Sequence, residues 1–160
     1  VVLSIHPDRL QGIRTHAEST YPDECCGLLL GYPAGDRQTV VEVWQAENVW
    51  NAETAAPFRT SGDEGMAAPD NRKSRYTIAP ELLLEAQKSG RDRGLSIIGI
   101  YHSHPDHPAK PSEWDRRYAW ECYSYIIVSV RQGQSDELSS WRLDANHQFQ
   151  PEPVLAFDPD

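Results

Sequence analysis

A chain of 160 residues is long enough to bury a real core and is predicted to form one domain over residues 1–160. Its formal charge of −9 and its scattered Lys and Arg residues argue against a phosphate backbone as ligand, so no nucleic acid is expected as a partner. No apolar run approaches the ~20 residues that cross a bilayer, and no leader precedes the first helix, so no membrane is expected and the chain reads as cytoplasmic.

The first predicted element is a helix in "HPDRLQGIRTHAEST", where Leu10, Ile13 and Ala17 recur at helical spacing and Pro7 suits a first turn. "YPDE" breaks that pattern. Cys26 to Gly31 then forms a short apolar run typical of a strand covered on both faces, and "QTVVEVWQAENV" continues with β-branched alternation. "YPAGD" between them reads as a hairpin loop. Cys25, Cys26 and Cys122 are an odd number of cysteines with two adjacent and no CxxC spacing, so reduced thiols are expected, at least one of them buried at the opening of the strand.

Between Asn51 and Ser74 the composition shifts to Ala, Gly, Pro and charge with almost no apolar periodicity, which predicts a long mobile loop. "RYTIAPELLLEAQKSGRDRG" predicts a strand-like start and an amphipathic helix from about Pro80 to Gly90 or Gly94. "LSIIGIYHSH" reads as a buried central strand, "PSEWDRRYAWECY" as a short helix and "SYIIVSV" as another buried strand. "ELSSWRLD" and "HQFQPEPV" read as a terminal hairpin. Helix, two strands, loop, helix, strand, helix and further strands describe an α+β or mixed α/β domain with helices packed on a sheet.

The chemistry concentrates in "YHSHPDHPAKPSEWD". His102 and His104 are two apart at a strand end, and because strand side chains alternate faces both imidazoles point the same way. Asp115 follows across a Pro-braced loop, in the predicted first turn of the next helix. Two His and one carboxylate make a zinc site with three protein ligands and an open fourth position for water. A hydrolytic site also needs a general base, and Glu24, at the start of the Cys26 to Gly31 strand, reaches the same sheet end if that strand neighbours the Ile97 to Ile100 strand. Ser112 could donate to the oxyanion of a tetrahedral intermediate. Each residue also has a plain structural reading: an HxH pair on a surface, Glu24 in a solvated turn, and Ser112 with Asp115 as a helix cap. His6, His16, His107 and His147 lack spacing partners and are read as structural or surface residues, His107 alone lying inside the loop where it could line a substrate groove.

Taken together, "HSHPDHPAKPSEWD" resembles the HxH, seven residues, Ser, two residues, Asp signature of the JAMM (MPN+) metalloprotease family, and "YPDECCGLLLG" resembles that family's glutamate-bearing strand entry. The resemblance implies His102, His104 and Asp115 as zinc ligands, Glu24 as the base and Ser112 as the oxyanion partner. It implies a curved mixed sheet flanked by helices, of the cytidine-deaminase-like architecture. It also implies hydrolysis of an amide bond after the Gly-Gly end of a ubiquitin-like or sulfur-carrier protein, the compact size leaning towards the short prokaryotic members. A zinc deaminase is set aside because it needs PCxxC together with HxE, and here Cys25 and Cys26 are adjacent and no PCxxC exists. A non-catalytic MPN scaffold is the remaining alternative, and such scaffolds lack the ligands that this chain keeps.

Overall fold

The computed structural model describes residues 1–50 and 72–156, so the loop expected at 51–74 lies almost wholly outside the described residues. Among the described residues eleven elements follow in chain order: β1 (Val2–Ile5), α1 (Pro7–Thr20), β2 (Cys26–Ala34), β3 (Arg37–Ala46), α2 (Pro80–Arg91), β4 (Ser96–Pro105), α3 (Glu113–Arg117), β5 (Ser124–Arg131), β6 (Gln134–Leu143), β7 (Phe149–Glu152) and β8 (Val154–Ala156). Among the described residues the strands form one sheet in the order β7-β6-β5-β4-β2-β3-β1-β8. It is mixed: β2 runs antiparallel to β3 and to β4, whereas β4 runs parallel to β5 and β1 parallel to β3 and β8. β7 and β8 occupy opposite rims of that order yet are separated by Pro153 alone, so the sheet curls until its rims approach, and Leu3 N–H donates to the Pro153 carbonyl at 2.9 Å.

Two apolar layers hold the sheet. On one face Leu3, Ile5, Leu29, Ile98, Tyr101, Ile126 and Val128 close over Ile13 and Ala17 of α1. On the other Cys26, Leu28, Leu30 and Ile97 meet Ile78 and Ala86, the latter from α2. The continuous apolar run of β5 follows from its position, since seven of its residues are buried and only Arg131 is exposed. His6 caps α1, its Nδ1 accepting from Asp8 N–H at 3.0 Å, and Pro7 occupies the first turn as expected.

The elements differ from the sequence expectations in four places. The β2–β3 ladder runs to Ala34 and Arg37, so the hairpin turn is only Gly35–Asp36, with Gly35 at φ 70°. "RYTIAP" forms no strand; Val49 N–H donates to the Thr77 carbonyl and the Asn48 side chain satisfies the neighbouring backbone instead. The helix in "PSEWDRRYAWECY" shortens to Glu113–Arg117, because Trp120 N–H is taken by the Tyr125 hydroxyl at 2.6 Å and Cys122 adopts φ 74°. "HQFQPEPV" supplies β7, paired with β6 as expected, and then the start of β8 on the far rim.

Candidate metal centre

The centre is built where β4 ends. Strand alternation puts Ile100, His102 and His104 on the α2 face and Tyr101 and Ser103 on the α1 face. β4 stops after Pro105, where Asp106 turns the chain at φ 58°; its carboxylate accepts from Gln132 N–H at 2.9 Å and from the Tyr21 hydroxyl at 2.6 Å. Asp is among the few residues that tolerate this left-handed conformation. Antiparallel pairing aligns Cys26 with His102, and Ser103 clamps Cys25 by accepting from its N–H at 2.8 Å, so Glu24 emerges beside the histidines. The loop after Asp106 returns through Ser112, whose Oγ accepts from Asp115 N–H at 3.1 Å while Asp115 Oδ2 accepts from Ser112 N–H at 2.8 Å. This capping box aims the Asp115 carboxylate back at β4.

All four expected groups therefore converge. His102 Nε2 and His104 Nε2 are 3.2 Å apart, Asp115 Oδ1 is 3.3 Å from the first and Asp115 Oδ2 is 3.1 Å from the second. Glu24 Oε1 stands one step back, 4.0 Å from His104 Nε2. The His102, Asp115 and Glu24 side chains are 1 %, 7 % and 4 % exposed, so their polar atoms cannot rely on bulk water.

Protons alone satisfy this cluster poorly. His104 Nδ1 lies 2.9 Å from the Pro108 carbonyl, which only accepts, so Nδ1 carries the hydrogen and a neutral ring presents the Nε2 lone pair to the Asp115 carboxylate. Two acceptors then face each other. His102 Nδ1 and Glu24 Oε2 are buried with no hydrogen-bond partner. A cation among the Nε2 atoms and the carboxylates resolves the conflict, and a carbonyl holding the distal N–H is the usual support of a metal-bound histidine. Glu24, His102 and His104 can present ligand atoms within 4.8 Å of one another, and Asp115 is closer still to both rings.

The shifts follow from burial and from the His–Asp115 pairing. Burial, then the Asp115 carboxylate, push the Glu24 carboxyl well above the usual range despite Arg75 nearby. Burial lowers the His102 imidazole, and on His104 the Asp115 carboxylate and Pro108 carbonyl outweigh burial and raise it. Burial opposes ionisation of Asp115, but the two histidines overcome it and hold that carboxyl well below its ordinary value.

Residues that the sequence reading passed over complete the surroundings. Tyr76 stacks on His102 at 4.7 Å between ring centroids, and Arg75 lies over Trp114 at 4.4 Å. Asn48 donates to the Glu24 and Arg75 carbonyls at 3.1 and 2.9 Å, joining Glu24 to the segment that carries Tyr76. None stands at a telling spacing; only their proximity to an aromatic-rich segment could have drawn notice. Among the described residues two cavities open on the cluster. One, of ≈160 Å³, reaches Asp115 between Trp50, Tyr76, Trp114, Tyr118 and Trp120. The other, of ≈290 Å³, is lined by Glu24, His104 and Ser112, with His107 on its wall. Cys25 and Cys26 are buried free thiols, the Cys25 thiol pushed up to about 12 by burial, and Cys122 is exposed. No helix among the described residues is long and apolar enough to cross a membrane.

A family model described as prokaryotic homologs of the JAB domain matches residues 6–144. The CysO-cysteine peptidase of Mycobacterium tuberculosis is 29% identical over 143 residues, covering 89% of this chain and 83% of the relative. The desampylase of Haloferax volcanii is 31% identical over 132 residues, covering 79% and 80%. A Desulfitobacterium hafniense protein solved in solution superposes with a TM-score of 0.73 at 25% identity, over 96% of this chain and 91% of that one. Fold and cluster together define an MPN-type hydrolase. Within that class the chain belongs to the prokaryotic JAB family.

Proposed function

We propose that the chain is a zinc peptidase that hydrolyses the amide bond after the Gly-Gly end of a ubiquitin-like or sulfur-carrier protein. The observation that carries the reading is the buried His102, His104 and Asp115 cluster, in which the His104 lone pair opposes a carboxylate unless a cation lies between. The two relatives, a CysO-cysteine peptidase and a desampylase, support the substrate class.

His102, His104 and Asp115 are the ligands in this reading. Zinc held by them supplies Lewis acidity, making a water acidic enough to ionise at a pKa near ~7 and polarising the scissile carbonyl. Glu24, one step behind the ligands, takes the proton of the attacking water, holds it away from bulk solvent and returns it to the leaving amine. Ser112 Oγ spends an acceptor site on Asp115 N–H, so its own hydrogen stays available to the carbonyl oxygen as negative charge develops there. A glycine tail, having no side chains, suits the narrow aromatic groove that reaches Asp115.

The test is elemental analysis of zinc-supplemented protein beside a cleavage assay on a carrier extended past Gly-Gly. One zinc per chain and a new Gly-Gly terminus are expected. A folded protein without metal sinks the enzyme reading in favour of an MPN scaffold.

A further inference from the structure

Two members of the cluster are anchored from outside it by their own side chains, and two are not. His104 is fixed through Nδ1 by the Pro108 carbonyl at 2.9 Å, and Asp115 through Oδ2 by the Ser112 N–H at 2.8 Å. His102 Nδ1 and Glu24 Oε2 are buried with no such partner. Glu24 Oε1 lies 4.0 Å from His104 Nε2, beyond hydrogen-bond reach.

The orientation of His102 and Glu24 therefore comes from ring contact and from the main chain, and both lead to Asn48. Glu24 is gripped through its peptide groups: its N–H donates to the Arg72 carbonyl at 2.7 Å and its carbonyl accepts from Asn48 Nδ2 at 3.1 Å. His102 is covered by the Tyr76 ring, with 4.7 Å between centroids and 23° between planes. Tyr76 stands in a segment that forms no strand, and its neighbours on either side are bound by the same carboxamide. Asn48 Nδ2 donates to the Arg75 carbonyl at 2.9 Å, and Oδ1 accepts from Thr77 N–H at 3.2 Å. The second acceptor site on Oδ1 takes Trp50 N–H at 3.1 Å. Two donors and two acceptor sites are thus filled, and the carboxamide is saturated.

We propose that Asn48 is the positioning residue of the centre, setting Glu24 through the entry to β2 and the His102 ring through Tyr76. Tyr76 does for His102 what the Pro108 carbonyl does for His104, confining the ring to the plane in which Nε2 faces Asp115 Oδ1 at 3.3 Å. This rests on the zinc reading above. Support behind a metal ligand is typically worth about 10- to 100-fold in affinity, and a stacked ring, less directional than a hydrogen bond, belongs at the lower end.

The test measures zinc affinity by competition with a chromogenic chelator and the visible spectrum of the cobalt(II)-substituted protein, beside kcat and KM on a carrier extended past Gly-Gly. Tyr76→Phe keeps the ring and should hold zinc within about twofold of wild type, whereas Tyr76→Leu should weaken it roughly tenfold and shift the cobalt bands. Asn48→Asp keeps the acceptor for Trp50 and Thr77 N–H and loses both donors. Its added negative charge alone would favour a cation, so a roughly tenfold weaker zinc affinity reports lost positioning. Its kcat should fall by roughly 10- to 100-fold with KM within about threefold, because Glu24 is displaced while the groove is not. Asn48→Ser, uncharged and smaller, should move both readouts in the same direction. In the Asn48→Asp/Tyr76→Leu double variant the affinity losses should not add, since one acts through the other, while kcat stays below that of Tyr76→Leu alone. Wild-type affinity in Tyr76→Leu, additive losses in the double variant, or Asn48 variants that melt lower with affinity, cobalt spectrum and kcat unchanged would each overturn the assignment. A wild-type protein that takes up no zinc overturns the cluster reading and this assignment together. One that takes up zinc but cleaves nothing overturns the peptidase alone, and the affinity series still decides the roles of Asn48 and Tyr76.

Discussion

Glu24 is the residue on which the proposed chemistry turns, because it is buried, acidic and set 4.0 Å behind a ring nitrogen of the cluster. Glu24→Gln keeps its size and its contacts through the backbone carbonyl to Asn48 but removes the proton acceptor. We expect kcat to fall by about 10²–10⁴, with zinc content and melting temperature close to wild type. A rate within a few-fold of wild type would remove Glu24 from the base role. A different acid, Glu42, reports on stability. Its carboxylate is held down to about 2 by the Arg93 guanidinium and then by Trp44 Nε1–H, 3.0 Å away. A depressed carboxyl contributes stability that is present above its unfolded value and is lost as pH falls through the folded one. The urea midpoint of wild type should therefore exceed that of Glu42→Gln at pH 5, and the gap should close between pH ~4.5 and ~2. A gap unchanged at pH 2 would show that the pair is not what separates the two proteins. The convergence of His102, His104, Asp115 and Glu24 beside the Ser112 cap was legible in the sequence, since the proposed reaction would need those residue types at a strand end and a helix start. Tyr76, Arg75 and Asn48 were not. Their places come from a chain segment that packs without forming a strand, and that packing leaves no periodicity to read.

At the scale of elements, α3 shows one residue holding two jobs. Ser112 is its N-cap and also the group proposed to meet the carbonyl oxygen. The two jobs separate by substitution. Ser112→Asp retains an acceptor for Asp115 N–H but has no hydroxyl hydrogen, so it should keep the cap and lose about 10²-fold or more in kcat. Ser112→Ala loses both and should also destabilise by about 1 kcal/mol. If the Asp variant turns over like wild type while the Ala variant does not, the cap alone explains Ser112. β2, β4 and β5 were readable as buried runs because both their faces are covered. Glu24 was expected to reach the histidines if β2 neighboured β4, and the observed antiparallel pairing, with Cys26 opposite His102, meets that condition. The shortest strands were harder. β1 and β8 are four and three residues long, too short for a pattern, and each is specified by a distant partner. Glycine marks where strands press closest: a Cβ on Gly31 would fall 1.8 Å from the Thr39 carbonyl oxygen.

For the whole molecule, the apolar layers on both sheet faces are independent of the metal cluster. Strong chelation should abolish cleavage while leaving the far-UV circular dichroism intact. The ion nevertheless binds only the folded arrangement, so its removal should lower the melting temperature by roughly 10 °C if zinc is present at about a thousand times its dissociation constant. Collapse of the dichroism on chelation would show instead that the cluster is a structural staple.

The crossing from β7 to β8 through Pro153 has a consequence in time. β2 to β5, which follow Glu24, carry His102 and His104 and flank the helix bearing Asp115, are adjacent in the sheet and contiguous in the chain, whereas β1 gains its second neighbour only when Val154 reaches Leu3. Pairing between such distant segments is slow to nucleate, because the intervening chain must already be ordered. During synthesis the metal ligands can assemble before the rim closes, and β1 waits with one edge uncovered. Docking of β8 then removes a strand edge that would otherwise invite another chain. Refolding from denaturant should accordingly show zinc capture ahead of the last rise in protection of the β1 amides.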